Sequence, residues 1–438
     1  MHDVSASPAT REHNATGCRT YADAVARGLY ERPTGGLKGK YDNVRTYWED
    51  RITRAAVGPL VNECDRAIHA AGRRVRILDL GCGAGQGYEL LTRIDQTGLN
   101  LGDAMRFVLP AARVGLYLGL DVSESMVEQG LTNYEGFRNV DFRQADLRDG
   151  ISVLASELPF DMYFSSYGAL SHLDGAHLKR CLVQIVKHAS PGALVVLDLM
   201  GRYSLEWPGY WNMVSEDETV RSYSMSYLYD EAERRSNDVE TFSIRFWTGE
   251  EVRDLCRELS ADTGVAVEAA EVLDRSIFVG RHVDTREYGC RLPPLRSLVN
   301  RLYEQNHRTR IEHLRVKVRP TSSHESVERF FETFACSWNR VIDFTLERLT
   351  GARVDLAALA DWDTFPAPLQ VALRTMDRTI DAAARIDVAD TRANIVEPQL
   401  AYVLQRLEYE RQRGLGCGHG LVAILRIGGG VSAGGRHE

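Results

Sequence analysis

The stretch VRILDLGCGAGQG, residues 75–87, decides the fold. An apolar strand runs into four closely spaced glycines, which let the backbone turn sharply and approach a ligand closely, and a helix is predicted to follow. A dinucleotide site would have the spacing G-x-G-x-x-G, but Gln86 or Tyr88 stands where the third glycine belongs. Asp79 lies just before the loop, where its charge would oppose a pyrophosphate. The stretch therefore favours a cationic ligand.

The sequence around this loop alternates between short apolar runs and segments with helical spacing. Runs at 75–80, 114–120, 161–164 and 193–199 predict strands. Strands that alternate with helices indicate a parallel sheet with helices on both faces. In such a sheet, ligands bind at the carboxyl ends of the strands.

Four further motifs follow the glycine loop in chain order. They are LGLDVSESM at 118–126, RQADL at 143–147, FDMYFSSY at 160–167 and PGALVVLD at 191–198. Together with the loop they resemble the motifs of class I S-adenosylmethionine-dependent methyltransferases, over about residues 40–282. The resemblance implies an α/β, Rossmann-like fold with a seven-stranded, mainly parallel sheet whose last strand is reversed. It also implies S-adenosylmethionine as the cofactor and methyl transfer as the reaction.

The resemblance also implies which residues bind the cofactor. Asp121 would accept hydrogen bonds from both ribose hydroxyls, with the residues after it packing on the adenine, and Asp146 would accept from the adenine amino group. Tyr41, Arg45 and Trp48 are spaced i, i+4 and i+7, which predicts that they share one face of a helix. As a lid before the first strand, this helix would pair Arg45 with the cofactor's carboxylate and set Tyr41 and Trp48 beside the sulfonium. The predicted cofactor-binding residues are Tyr41, Arg45, Trp48, Asp79, Gly81, Gly83, Gly85, Asp121, Val122, Met126, Asp146, Leu147 and Ser165.

The candidate catalytic residues lie just past the fourth predicted strand. His172 is the predicted general base, and Tyr167 would orient the substrate or the sulfonium. Methyl transfer mainly needs donor and acceptor aligned, and a base helps only where the acceptor must lose a proton. His282 with Asp284, and His419 in a Gly-rich loop that we expect to be flexible, are weaker candidates.

Three regions are expected along the chain. Residues 1–70 would form an N-terminal helical lid with a Gly-rich turn at 34–39. Residues 71–290 would form the methyltransferase domain, with an insertion at about 96–113 and an antiparallel insertion at about 215–247. Residues 291–438 would form a mainly α-helical C-terminal region with a frayed end, in which the strand-like runs 314–318 and 421–427 pair with each other.

The helical region carries apolar stripes that need a partner surface. The stripe with Phe330, Phe331, Phe334 and Trp338 is unusually aromatic. Aromatic residues are enriched in interfaces as well as in cores, so this stripe does not choose between them. We predict a homodimer to which the helical region contributes.

Composition narrows the classes of function. The chain has 438 residues and a net charge of −8, which does not favour the basic face of a nucleic-acid binder. No run approaches the ~20 apolar residues of a membrane helix, and the N-terminus has no apolar core typical of a secretory signal. The eight scattered cysteines include no C-x-x-C pair, so we expect no metal site and a cytoplasmic location.

Three functions are compatible with these features. We favour a methyltransferase that acts on a small molecule in secondary metabolism. A cyclase would instead convert the cofactor into an azetidine or cyclopropane amino acid and release methylthioadenosine. A non-catalytic, cofactor-binding scaffold is the third, against which the intact glycine loop and both downstream acids argue. The acceptor, and whether nitrogen, oxygen or carbon is methylated, stay open.

Overall fold

The structure is a computed structural model that describes residues 21–31, 40–96, 106–213, 215–236, 239–318, 324–359 and 361–428. Parts of all three predicted regions lie outside these residues, and three smaller features lie wholly or partly outside them as well. They are the Gly-rich turn at 34–39, the middle of the insertion expected at 96–113, and all but one residue of the expected frayed end. Within the described ranges, no helix has both the length and the apolar character of a membrane span.

The described residues include a sheet of nine strands. The strands are β1 Val75–Leu80, β2 Val114–Asp121, β3 Val140–Gln144, β4 Met162–Phe164, β5 Leu194–Gly201, β6 Val220–Ser224, β7 Thr241–Trp247, β8 Val267–Arg275 and β9 Gly420–Ile427. Seven of them form a row in the order β3-β2-β1-β4-β5-β9-β8. The strands from β3 to β5 are parallel, which confirms the predicted fold class.

The reversed strand of this row comes from near the end of the chain. β9 lies between β5 and β8 and runs antiparallel to both. It was expected in the helical C-terminal region, paired with residues 314–318, and that pairing is wrong. All but one of the β9 residues are buried, and a strand that is apolar on both faces fits the interior of a sheet. The helical region is thus inserted between the last two strands of the row.

Helices cover both faces of the sheet. The helices next to it are α1 Asp50–Ala70, α2 Gln86–Thr92, α3 Glu124–Asn133, α4 Gly175–His188 and α5 Gly249–Thr263. Leu182 of α4 and Val252 of α5 pack with Leu118 on one face, and Ile52 of α1 packs with Tyr117 on the other. β6 and β7 form an antiparallel ribbon that touches the end of β5 through β7.

The inserted helical region packs on the α1 face of the sheet. It contains α6 Leu295–Leu302, α7 Glu325–Leu349, α8 Ala367–Ala383 and α9 Glu397–Arg411. The aromatic stripe of α7 is buried inside the chain: Phe331 stacks on Trp211 at a centroid distance of 5.5 Å, and Phe334 stacks on Phe278 at 4.8 Å. This stripe therefore already has a partner surface within one chain.

Candidate functional site

A pocket opens where the carboxyl ends of β1, β2, β4 and β5 meet. The start of β9 and the end of β8 reach the same edge, because Gly420 pairs with both Met200 and Arg275. The pocket has two halves. The glycine loop and the ends of β1 and β2 line one of them, which we call the loop half. The β6–β7 ribbon, the end of β8 and the start of β9 line the other, which we call the ribbon half.

The glycine loop presents its backbone to the loop half of the pocket. Gly81 and Gly83 line it with backbone φ angles of 69° and 52°, values that residues other than glycine rarely adopt. A Cβ at Gly81 would lie 2.6 Å from the Cβ of Ala169. Gly85, also at positive φ, packs against the ring of Phe142 and does not line the pocket.

Asp121 ends β2 and ties two loops together. Its Oδ2 accepts a hydrogen bond from the Gly83 N–H at 2.8 Å, and its Oδ1 accepts one from the Ser123 N–H at 2.9 Å. Burial raises the pKa of this carboxyl above its usual value. Each oxygen keeps capacity for one more donor, so Asp121 can accept hydrogen bonds from two adjacent hydroxyls.

Asp146 also lines the pocket, but it already has a partner. The Arg148 Nε lies 2.9 Å from its Oδ1 and 3.0 Å from its Oδ2. Burial acts to raise the pKa of Asp146, but the hydrogen bonds from Arg148 outweigh it and lower the pKa. A ligand amino group at Asp146 would share the carboxylate with Arg148.

Two residues of the predicted lid lie away from the pocket. Trp48 is buried against the helical region, with its Nε1 donating to Glu408 at 2.9 Å. The expectation that Tyr41, Arg45 and Trp48 share one face assumed a regular α-helix, whereas residues 45–49 form a π-helical turn. Tyr41 does not line the pocket either, and its hydroxyl is buried.

Asp79 lies beneath the glycine loop rather than in the pocket. It is fully buried, the Tyr117 hydroxyl donates a hydrogen bond to it, and burial raises its pKa to about 7. Its position therefore does not support the expectation that its charge faces a ligand. Ser165 is likewise buried behind the pocket, and the next residue, Ser166, lines it instead.

The N-terminal segment covers the pocket. The Tyr21 hydroxyl lies 3.2 Å from the Nε2 of His172, and the Lys40 Nζ lies 3.1 Å from the centroid of the Tyr30 ring. Arg45 holds its guanidinium 3.0 Å from the centroid of the Tyr167 ring. These cationic and aromatic groups close one side of the pocket.

Both predicted catalytic residues line the pocket. Burial lowers the pKa of His172 to about 4, so this histidine is neutral near pH 7. The Tyr167 hydroxyl donates to Asp50 at 2.8 Å, and its backbone N–H donates to Asp198 at 2.7 Å. Burial raises the pKa of Tyr167 above its usual value. Val122, Met126 and Leu147 of the predicted set also line the pocket.

The ribbon half contains residues that the sequence did not indicate. Arg275, at the end of β8, pairs with Asp198 at 2.8 Å, and Arg281 pairs with Glu49 at 3.0 Å. His419 lines the same half and is only 8% exposed, so the loop that we expected to be flexible lies buried. The wall opposite consists of Tyr223, Met225, Tyr227, Phe242 and Ile244.

Close approach explains the glycines beside His419. A Cβ at Gly418 would lie 2.3 Å from the carbonyl oxygen of Arg275, and one at Gly416 would lie 2.7 Å from that of Trp247. Residues 416–420, with the sequence GCGHG, therefore form a buried loop that packs closely against neighbouring backbone at the sheet edge. The alternating glycines around His419 were the sequence signal for this close packing, but the same pattern is equally typical of a flexible loop.

Other candidate groups lie outside the pocket. His282 is fully buried, and its Nδ1 lies 3.1 Å from the Thr285 hydroxyl. Asp284, its proposed partner, accepts instead from the backbone N–H of Ser297. Among the residues that the structure describes, no group of three or more His, Cys, Asp or Glu side chains is arranged to hold a metal ion.

Comparison with known proteins gives one family match. Residues 72–227 match the family model described as "Methyltransferase domain". A search of curated proteins found no match.

Several solved structures are similar at low identity. The complex of DhpI with SAM and HEP has 16% identity and a TM-score of 0.35, with 61% of this chain and 94% of that chain covered. SAM-bound CalS10, an amino pentose methyltransferase from Micromonospora echinaspora involved in calicheamicin biosynthesis, has 17% identity, a TM-score of 0.29 and coverages of 49% and 84%. The CcbJ methyltransferase from Streptomyces caelestis has 13% identity, a TM-score of 0.32 and coverages of 49% and 80%.

Proposed function

We propose that this chain, whose residues 72–227 match the model of a methyltransferase domain, uses S-adenosylmethionine to methylate a small molecule in secondary metabolism. The observation that carries this proposal is the division of the pocket into two halves at the carboxyl edge of the sheet. The loop half offers hydrogen-bonding groups suited to the cofactor. The ribbon half offers an aromatic wall, which leaves room for a second molecule with an apolar surface.

The residues of the loop half fit S-adenosylmethionine. Each Asp121 oxygen accepts one backbone N–H and can accept one ribose hydroxyl as well, and Gly81 and Gly83 keep the loop backbone open to the ligand. Met126 and Leu147 are apolar lining residues that can pack on the adenine. Arg45 lines the pocket and pairs with Asp50 at 2.9 Å, and its guanidinium can also pair with the cofactor's carboxylate. The roles of Tyr41, Trp48, Asp79, Gly85 and Ser165 in direct binding are not supported by their positions behind the pocket.

The chain's own contribution to the reaction is alignment and exclusion of water. The cofactor supplies an electrophilic methyl group on a sulfonium. Tyr21, Tyr30 and Lys40 cover the pocket, and such a cover excludes water and holds donor and acceptor close together. Tyr167 is fixed through its hydroxyl and its N–H, so its ring can form a rigid wall beside the reacting groups. A role for His172 as general base stays a prediction.

Cyclisation of the cofactor is the second candidate, because the same cover would suit a reaction that needs no acceptor. The ribbon half argues against it, since an intramolecular reaction has no use for a second binding surface.

We also propose a cytoplasmic location and a homodimer. The aromatic stripe of α7 is buried within the chain, so a dimer interface would have to use another surface.

Product analysis separates these candidates. The full chain is incubated with S-adenosylmethionine, alone and with a mixture of small phenols, alcohols and amines, and the nucleoside products are measured by mass spectrometry. We expect S-adenosylhomocysteine, formed in step with a methylated acceptor and only when acceptors are added. Methylthioadenosine formed from the cofactor alone would establish cyclisation instead. Calorimetric binding without any turnover would establish a scaffold.

A further inference from the structure

Glu206 and His419 form a buried pair at the ribbon half of the pocket. Glu206 lies in the loop after β5 and is fully buried, and His419 directly precedes β9. The Nδ1 of His419 lies 2.7 Å from the Oε2 of Glu206. The two residues are 213 positions apart in the sequence, and only the insertion of β9 beside β5 brings them together.

The surroundings of Glu206 fix its position. Its Oε1 accepts a hydrogen bond from the backbone N–H of His282, and its Oε2 accepts one from the Ser204 hydroxyl at 3.2 Å. A Cβ at Gly280 would lie 2.1 Å from Oε2, so only glycine leaves room for the carboxylate. Burial acts to raise the pKa of Glu206, but His419 and His282 outweigh it and hold the pKa below its usual value.

The pairing determines which nitrogen of His419 carries the proton. An ionised carboxylate only accepts hydrogen bonds, so Nδ1 must donate to Glu206. In the neutral imidazole, Nε2 is then the unprotonated nitrogen. His419 lines the pocket, and its Nε2 has no hydrogen-bond partner among the described residues. A buried acid thus orients a histidine whose basic nitrogen is left available to a pocket ligand.

We propose that His419 is the general base of the transferase reaction, that Glu206 is its positioning residue, and that the acceptor is a hydroxyl group on an apolar or aromatic skeleton. This inference rests on the proposed function. The acceptor oxygen forms a bond to the methyl carbon while the carbon–sulfur bond breaks and its electron pair stays on sulfur. The hydroxyl proton passes to the Nε2 of His419 and is later released to solvent.

The charges of the ribbon half favour a hydroxyl over a protonated amine. Arg275 and Arg281 line this half, and both carboxylates beside them are already paired. Glu49 accepts from Arg281 and also from Arg296 at 2.7 Å, and Asp198 pairs with Arg275. The Asp198 Oδ1 has no hydrogen-bond partner among the described residues, but the charge of this carboxylate is already balanced by Arg275. An ammonium group would therefore meet two guanidinium groups without an unbalanced carboxylate charge to offset its own. A neutral hydroxyl avoids that repulsion and still has a proton that a base must remove.

The first test is the protonation of the His419 ring. The full chain is labelled with ¹⁵N-histidine and saturated with S-adenosylhomocysteine, and its long-range ¹H–¹⁵N spectrum is recorded at pH 8, with His419→Gln to assign the signals. We expect His419 to carry its proton on Nδ1, and Glu206→Gln to remove or reverse this preference. A ring protonated on Nε2 in the wild-type chain would overturn the proposal.

The second test compares two probes of similar shape, 4-methylphenol and 4-methylbenzylamine. We expect methylation of the phenol in preference to the amine, and a rate about 10²–10⁴-fold lower in His419→Gln. The loss should shrink at alkaline pH, where the phenol ionises without help, whereas a merely structural defect would persist at every pH. His307→Gln changes an exposed histidine and serves as the matched control.

Calorimetry separates the two possible failures. If the wild-type chain does not bind S-adenosylmethionine, the proposed function itself is wrong. If it binds the cofactor and His419→Gln keeps the wild-type rate and pH profile, only the assignment of the base is wrong. Preferred methylation of the amine would overturn the assignment of the acceptor class.

Discussion

Replacing Asp121 with alanine should weaken cofactor binding while the chain stays folded. The carboxylate holds the Gly83 N–H at 2.8 Å and the Ser123 N–H at 2.9 Å, and it lines the pocket. The variant loses both the acceptors for the ribose hydroxyls and the link between the glycine loop and the β2–α3 turn.

The expected loss follows from the hydrogen bonds that disappear. A hydrogen bond to a charged group contributes roughly 1.5–3 kcal/mol, which corresponds to about a tenfold to a hundredfold weaker affinity. Asp121→Asn keeps one accepting oxygen and should fall between the wild type and the alanine variant. The loss of two backbone contacts should lower the free energy of unfolding by about 1–3 kcal/mol.

Titration calorimetry with S-adenosylhomocysteine measures the affinity, and thermal unfolding without ligand shows that the variants are folded. Asp141→Ala is the matched control, because this aspartate lies on the adjacent strand β3 and its side chain is 44% exposed. The control should bind as the wild type does. A folded Asp121→Ala chain with unchanged affinity would refute the assignment of Asp121 to the ribose.

Three further outcomes are expected. The pKa of Asp79 is raised to about 7, above its unfolded value of about 3.9, so stability should be lost as the pH rises through 7. Urea unfolding at pH 5 and pH 8 measures how much the free energy of unfolding falls between these pH values. This fall should be smaller in Asp79→Asn than in the wild type by on the order of 2–4 kcal/mol, and an equal fall in both chains would contradict the assignment. Phe331→Ala should cost about 3–5 kcal/mol in one cooperative calorimetric transition, whereas two separate transitions would show that the helical region folds independently. Light scattering at micromolar concentration should give twice the chain mass of 49.1 kDa, and the single-chain mass at every concentration would end the dimer proposal.

Local patterns in the sequence were sufficient for most of the fold. The alternation of strands and helices, and the glycine loop after β1, each depend on residues close together in the chain. Asp121 could be placed for the same reason, since it ends a strand next to the loop and the parallel order brings the two together. Such features are determined by neighbouring residues, which a reader of the sequence can see.

The position of β9 in the sheet could not be predicted from neighbouring residues. Residues 421–427 have the pattern of a buried strand, but nothing nearby shows which strands they pair with. Their partners, β5 and β8, lie more than 140 residues earlier in the chain. The pairing of Glu206 with His419 follows from that register and was hidden for the same reason.

A second difference between the prediction and the structure comes from the geometry of the helix at residues 45–49. The spacing of Arg45 and Trp48 suggested a common face on a regular helix. The π-helical turn at 45–49 sends Arg45 to the pocket and Trp48 into the core beside Trp338, at a centroid distance of 5.9 Å. Periodicity alone does not reveal such a turn, because the packing of the surrounding residues decides it.

A crystal structure of the full chain with S-adenosylhomocysteine bound would test the central claim most directly. We predict that the ribose hydroxyls lie within hydrogen-bonding distance of the two Asp121 oxygens, beside Gly81 and Gly83. The sulfur should face the ribbon half of the pocket, toward Tyr223, Phe242 and His419. A ligand bound elsewhere, or one whose sulfur points away from the ribbon half, would contradict the account.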